Sequence, residues 1–262
     1  MSAVVEEPVS QRLASFQSIV ERGSQRLLKR VGVAPGMRVL ELGCGTGAMT
    51  LWLARQVGPK GVVVALDRSI EALTSVSARA AEAGLENIVC QQADLEQGVP
   101  ALEEVDLVHG RFVLMHLRNP ASLLCRLFDA MSPGALLALE EPSISSFRSQ
   151  ADRQLWQFCV DLYRRYCQIQ HIDPNYGGRL LNHVSQAGFC VQDDALTFAS
   201  LSYAQARRYM ALSLMASGQR YVDAGLVERG VLDEQIAGLT AESYEARRTT
   251  HFHAVAQLTA CR

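Results

Sequence analysis

Several things are scarce in this sequence, and each scarcity excludes something. There is no surplus of basic residues: 25 Lys and Arg stand against 27 Asp and Glu, for a formal net charge of -2. A chain without a cationic excess has little to neutralise a run of phosphates, which argues against a dedicated nucleic-acid binder. No apolar run approaches the roughly 18 residues that a membrane-spanning helix needs. The seven cysteines are odd in number, widely spaced and never arranged as C-x-x-C. That pattern offers neither a zinc site nor a disulfide framework, and reduced thiols are expected. No H-x-x-x-H pair or acid cluster points to a metal. Met1 to Ser10 carries acids and no apolar stretch, so no signal peptide is expected and a cytoplasmic location is. Internal repeats and low-complexity linkers are also missing.

What remains is an ordinary globular composition, 48% hydrophobic and 20% charged over 262 residues, enough to bury a sizeable core. Residues 8–30 have helical spacing and end at Ala34-Pro35-Gly36. From there short apolar runs alternate with helical ones. Strands are predicted at 38–42, 62–66, 88–92, 105–109 and 135–140, with helices at 48–57, 70–83 and 120–131 between them. This rhythm predicts an open α/β sheet with right-handed crossovers. After Pro142 the pattern changes. Long helical stretches over 150–170, 179–187 and 202–248 surround a sixth strand at 189–199, and a last strand runs from His251 to Ala260. The expectation is one domain over 1–262. It comprises an N-terminal helical segment (1–33), a ligand-binding core (34–142) and helical insertions at 143–178 and 202–248 that act as a lid.

The first strand, Arg38 to Leu42, runs into Gly43-Cys44-Gly45-Thr46-Gly47, and a helix begins at once. Glycine permits positive φ and close backbone approach, and the turn aims helix N-terminal amides at a ligand. Alone this is ambiguous, because Gly43, Gly45 and Ala48 also satisfy a dinucleotide fingerprint. Two features favour another ligand. Glu41 precedes the turn, where a carboxylate benefits a cationic ligand end and not a pyrophosphate. Gly47 adds a third alternate glycine that a dinucleotide turn does not need. Asp67 closes the second strand, where a carboxylate can accept both hydroxyls of a ribose; the competing reading is a helix cap ahead of Ser69.

Residues 25–200 resemble the class I S-adenosylmethionine-dependent methyltransferases, above all the small-molecule enzymes of quinone and natural-product biosynthesis. Val39 to Gly47 resembles the first motif of that family, Val63 to Arg68 the second, Gln92 to Leu95 the third and Asp106 to Leu117 the fourth. The resemblance implies a Rossmann-like, mostly parallel seven-stranded sheet, with its last strand antiparallel and inserted between the fifth and sixth. It implies S-adenosylmethionine as cofactor and S-adenosylhomocysteine as product. Asp67, beside Arg68, would take the ribose. Asp94 would meet the adenine amino group, with the backbone of its neighbours Ala93 and Leu95 at the ring. Gly110 and Arg111 would lie by the methionine part. The N/D-P-P-Y/F sequence of amino-directed DNA and protein methyltransferases is missing, which weakens those substrate classes.

Methyl transfer demands positioning, desolvation and sometimes removal of one proton from the acceptor. Candidates for that proton are Glu141 at the end of the fifth strand, His116 after the fourth, His253 (with His251) on the last strand, and His171 in the polar loop. The expected partner is a small, partly apolar or aromatic metabolite accepting at O, N or C, with the protein a monomer or homodimer. Three rivals stand beside this reading: non-methyl-transfer chemistry on the same fold, such as cyclisation; a dinucleotide-dependent oxidoreductase; and a regulatory module with a dead site.

Overall fold

The computed structural model describes residues 3–100, 104–146, 153–241 and 249–262. In chain order the elements are α1 (Ala3–Val31), β1 (Arg38–Leu42), α2 (Ala48–Val57), β2 (Val62–Asp67), α3 (Ile70–Glu82), β3 (Ile88–Gln92), β4 (Leu107–Arg111), a 3-10 turn (Leu114–His116), α4 (Pro120–Ala130), β5 (Leu136–Ser143), a second 3-10 turn (Ile144–Ser146), α5 (Arg153–Ile169), α6 (Gly177–Gln186), β6 (Cys190–Ser202), α7 (Tyr203–Asp223), α8 (Arg229–Thr240) and β7 (Thr249–Cys261). The seven strands form one mixed sheet in the order β3-β2-β1-β4-β5-β7-β6. β1 to β5 pair in parallel. β7 runs the other way: the Arg262 amide donates to the Ala135 carbonyl before β5, and Gln257 reaches Glu140 near its end.

Local chemistry explains where these elements begin and stop. α3 starts at Ser69, whose hydroxyl accepts the Ala72 amide at 3.1 Å. α4 starts at Asn119, which caps the Ser122 amide, with Pro120 in the first turn. α7 opens with a reciprocal cap between Ser202 and Gln205. α1 carries Lys29 and Arg30 in its last turn, where positive charge suits the helix dipole, and Gly32 and Val33 close it by bonding back to Leu28. The helix expected from residue 8 begins at Ala3. The long stretch over 202–248 resolves into α7 and α8, broken at Ala224-Gly225; positions 242–248 lie outside the described residues, as do 150–152 of the helix expected from 150.

The chain divides into two compact units. The first takes in Met1–Arg22, Ile144–Pro174 and Phe198–Ala254; the second Gly23–Ser143, Asn175–Thr197 and Val255–Arg262. The helical stretches expected as insertions thus fall largely in the first, apart from Ser143 and Asn175 to Gly178. Its core packs Trp156, Cys159 and Leu162 of α5 against Tyr203, Met210, Leu214 and Tyr221 of α7 and Leu232 and Leu239 of α8.

In the second unit the central strands β1, β2, β4 and β5 are buried on both faces over most of their length. On one face Val39, Val63, Leu107 and Ala138 pack with Leu27 and Leu28 of α1 and Met49, Leu53 and Val57 of α2. The parallel register carries that face along the strands. Glu41 lies beside His109 and His109 beside Ala138, while two residues on, Arg111 pairs with Glu140. Polar side chains therefore collect at the carboxyl ends of the central strands, on one face of an otherwise apolar sheet.

Candidate active site

The glycine turn stands at the carboxyl end of β1, where open α/β sheets bind their ligands. Gly47 enters α2 with φ +77°, and a Cβ there would come within 2.6 Å of a Val76 methyl. Gly45 has φ +52°, and a Cβ there would meet nothing within 4 Å. So Gly47 is needed for packing, and Gly45 leaves the open side of the turn bare for a ligand. Asp67, half-buried at the end of β2, holds the turn in place. Its Oδ2 accepts the Gly45 amide at 2.9 Å and its Oδ1 the Ser69 amide at 3.0 Å. The helix cap is Ser69, not Asp67. Each Asp67 oxygen keeps a further lone pair, as acceptance from ribose hydroxyls requires.

Around this turn the third and fourth motifs are built by equally specific bonds. The Ala93 amide donates to the Asp67 carbonyl, and the Gln92 side chain to the Arg68 carbonyl. Asp94 is exposed, its Oδ1 accepting the Glu96 amide and its Oδ2 the Gln97 side chain. Leu95 is buried, and Arg126 on α4 donates to its carbonyl at 2.7 Å. Gly110 sits within β4, where a Cβ would approach Leu139 at 3.2 Å. Arg111 ends that strand, donating to the Ser24 hydroxyl of α1 at 3.0 Å. The structure thus brings Gly43, Gly45, Gly47, Asp67, Arg68, Ala93, Asp94, Leu95, Gly110 and Arg111 to the ends of four adjacent strands.

Glu41 is buried one level below. Its Oε2 accepts the Thr50 hydroxyl of α2 at 2.5 Å. Burial raises its pKa above the ordinary value; His109, Thr50 and Arg111 oppose that rise, and Asp67 adds to it. Glu41 therefore ties the first strand to the helix that leaves the turn.

Glu140 and Glu141 point to opposite faces of β5. Glu140 accepts the Gln257 side chain at 2.8 Å, and His109 Nε2 lies 3.4 Å from its other oxygen. Burial alone would lift the Glu140 carboxyl, but His109, Arg111 and Gln257 outweigh it and hold the pKa below the usual range. His109 Nδ1 is buried with no hydrogen-bond partner among the described residues. Glu141 receives three consecutive backbone amides, of Val113, Leu114 and Met115, at 3.0, 2.7 and 3.2 Å. That is an anion seated on the start of a 3-10 turn, which fixes the segment following β4.

Of the histidines, His116 closes that same turn and remains exposed at its surface. Partial desolvation and the nearby Arg68 charge pull its pKa below the ordinary imidazole value. His171 belongs to the first unit and adopts φ +54°. His251 and His253 are on β7, and their side chains lie outside the described residues. Among the described residues no cluster could hold a metal ion, and no helix is long and apolar enough to cross a membrane.

The network of His109, Glu140, Gln257, Arg111 and Ser24 was not singled out from the sequence. A signal exists: Glu41, His109 and Glu140 interrupt apolar strands near their carboxyl ends, and only the register shows that they share a face.

Residues 34–185 match the family model described as a methyltransferase domain, more than half of the chain. Among curated proteins, trans-aconitate 2-methyltransferase of Variovorax paradoxus is 33% identical over 141 residues, 52% of this chain and 52% of that protein. Aklanonic acid methyltransferase DauC of a Streptomyces species is 34% identical over 108 residues, 41% of this chain and 49% of that one. The chain thus spans about half the length of the curated relatives it matches. Among solved structures the cyclase SpnF superposes with a TM-score of 0.63 at 18% identity, covering 94% of this chain and 82% of that one; at this identity the likeness concerns the fold. S-adenosylmethionine is the cofactor that goes with this domain, and the bare Gly45 face and the spare lone pairs of Asp67 fit its adenosine end. With the seven-stranded sheet and the glycine turn in place, the chain belongs to the family of methyltransferase domains.

Proposed function

We propose that this chain transfers a methyl group from S-adenosylmethionine to a small organic molecule. The observation that carries the reading is the Asp67–Gly45 bond, which joins the ribose-directed carboxylate to the glycine turn and assembles the cradle in advance. When bound, the cofactor supplies a methyl group on a sulfonium centre that leaves as a neutral thioether. The protein therefore needs no group to stabilise a leaving anion; its tasks are alignment, exclusion of water and proton removal. Arg68, Ala93, Asp94 and Leu95 would line the adenosine end, and Gly110 and Arg111 the methionine end. Glu41 stabilises the turn from below, and Glu141 fixes the segment carrying His116.

His116 is the candidate proton acceptor best supported by its surroundings. Desolvation and the Arg68 charge lower its pKa, which favours the neutral imidazole, the form that can take a proton. The acceptor is a small, partly apolar or aromatic molecule. The names of two relatives, trans-aconitate and aklanonic acid methyltransferases, favour an acid.

The test is to incubate the protein with S-adenosylmethionine and a panel of unsaturated and aromatic acids, and to quantify S-adenosylhomocysteine and product by mass spectrometry. Expected are equal amounts of S-adenosylhomocysteine and a product heavier by one methylene. His116→Gln should lower turnover by about 100-fold or more while cofactor affinity stays as it was. A second reading is favoured by the resemblance to a cyclase. It requires a rearranged product of unchanged mass with no S-adenosylhomocysteine released.

A further inference from the structure

The first unit holds a partly buried cation with no matching anion among the described residues. Arg12, on α1, is half-buried, and its Nε is sealed from solvent without a hydrogen-bond partner. The guanidinium donates to the phenol oxygen of Tyr209 on α7, and its charge reaches Tyr221 on the same helix. Tyr163 of α5 interacts with both of these phenols. Phe16, one turn after Arg12, stacks on Tyr209 with ring centroids 6.1 Å apart, and Tyr166 meets Tyr221 edge-on at 5.1 Å. Among the described residues no carboxylate forms an ion pair with Arg12.

This arrangement is costly as it stands. A guanidinium cannot shed its proton, so burial cannot be relieved by neutralisation. The phenols do not supply the missing charge, because burial raises the pKa of Tyr163, Tyr209 and Tyr221, the last to about 12. A neutral phenol oxygen satisfies one donor and leaves the positive charge uncompensated. The planar fork of Arg matches a carboxylate, phenol hydroxyls can donate to the same group, and aromatic walls suit a flat body.

We propose that Arg12 and Tyr209, walled by Phe16, Tyr163 and Tyr221, form a binding site for a small organic carboxylate with a planar unsaturated or aromatic body. The site stands on the first unit alone and does not depend on the methyl-transfer reading. Its ligand is either the methyl acceptor or a separate effector, and the two share this chemistry.

The experiment is calorimetry on the full chain with benzoate and trans-aconitate as probes and benzamide as the neutral control. The carboxylates should bind, with benzamide at least about tenfold weaker. Arg12→Gln should lose carboxylate binding by a similar factor, Arg12→Lys should recover part of it, and Tyr209→Phe should weaken it several-fold. Affinity for S-adenosylhomocysteine, measured on the same preparations, should match the unsubstituted protein and so shows that the variants fold. In the methyl-transfer assay an Arg12→Gln variant with raised KM and retained kcat identifies the ligand as the acceptor. Unchanged KM with lost benzoate binding identifies a separate effector. Equal affinity for benzoate and benzamide, equal carboxylate binding by Arg12→Gln and the unsubstituted protein, or no carboxylate binding at millimolar concentration would each overturn the proposal.

Discussion

At the end of β5, Glu140 turns towards His109 and Gln257, and Glu141 turns towards three backbone amides. Both are buried, yet their neighbours set their chemistry differently from that of Glu41, one level below Glu140 on the same sheet face. The Glu140 pKa is lowered, so its contribution to stability is present above the ordinary carboxylate range and is lost as pH falls through the folded value. The Glu41 pKa is raised, so its contribution is present in acid and is lost as pH rises through the folded value. Glu140→Gln should therefore weaken the protein most at neutral pH and flatten its acid transition. Glu41→Gln, which keeps an acceptor for Thr50, should be relatively more stable at neutral pH than in acid. Urea midpoints measured from pH 3.5 to 8 check both, and parallel curves for the two variants would refute the assignment. None of this could be read from the sequence, where Glu140 and Glu141 are interchangeable. A strand buried on both faces has no polar side to give its parity away.

At the scale of elements the sequence was more legible. Turn residues and apolar runs placed the five parallel strands and the helices between them, because glycine, proline and N-cap residues act locally. The candidate cradle could be proposed from the sequence because its glycines and Asp67 stand at strand ends that local signals mark, but the bond that joins Asp67 to Gly45 spans 22 residues and had no such signal. Less legible was α8, which is held by a residue far away in sequence. Arg207 on α7 donates to the Leu239 carbonyl at 3.1 Å and the Ala241 carbonyl at 3.2 Å, and also to the Gly238 carbonyl, while Tyr203 stays in contact with its guanidinium. These are the carbonyls that a helix leaves unsatisfied at its carboxyl end. Arg207→Met should strand them in a buried setting and cost about 2 to 4 kcal/mol. Urea denaturation followed by far-UV circular dichroism measures it, and a loss below about 0.5 kcal/mol would mean that water replaces the guanidinium.

For the whole molecule, the consequence of a preassembled cradle is thermodynamic linkage. A ligand that binds only the folded chain stabilises it by about 2.7 kcal/mol at 100 times its Kd. For a chain of this length that corresponds to a rise of roughly 5 to 10 °C in Tm. S-adenosylhomocysteine should produce such a shift and NAD should not. Asp67→Ala should weaken S-adenosylhomocysteine binding by about 2 to 3 kcal/mol, since it removes the Gly45 anchor and, with it, the proposed ribose acceptor. A thermal scan with each ligand, and calorimetry on the variant, decide it. A shift with NAD alone would return the chain to the dinucleotide reading.

Glu141 also gives the loop after β4 a property that loops seldom have. Amides in a connection normally trade their hydrogens with water quickly, because nothing shields them. Here Val113, Leu114 and Met115 each donate to one buried carboxylate, so all three hydrogens are released only when that anion lets go. In deuterium they should exchange as slowly as the strands around them and at one common rate. Glu141→Gln should speed all three together. The segment that carries His116 thus contains its own clock for how often this edge of the sheet opens.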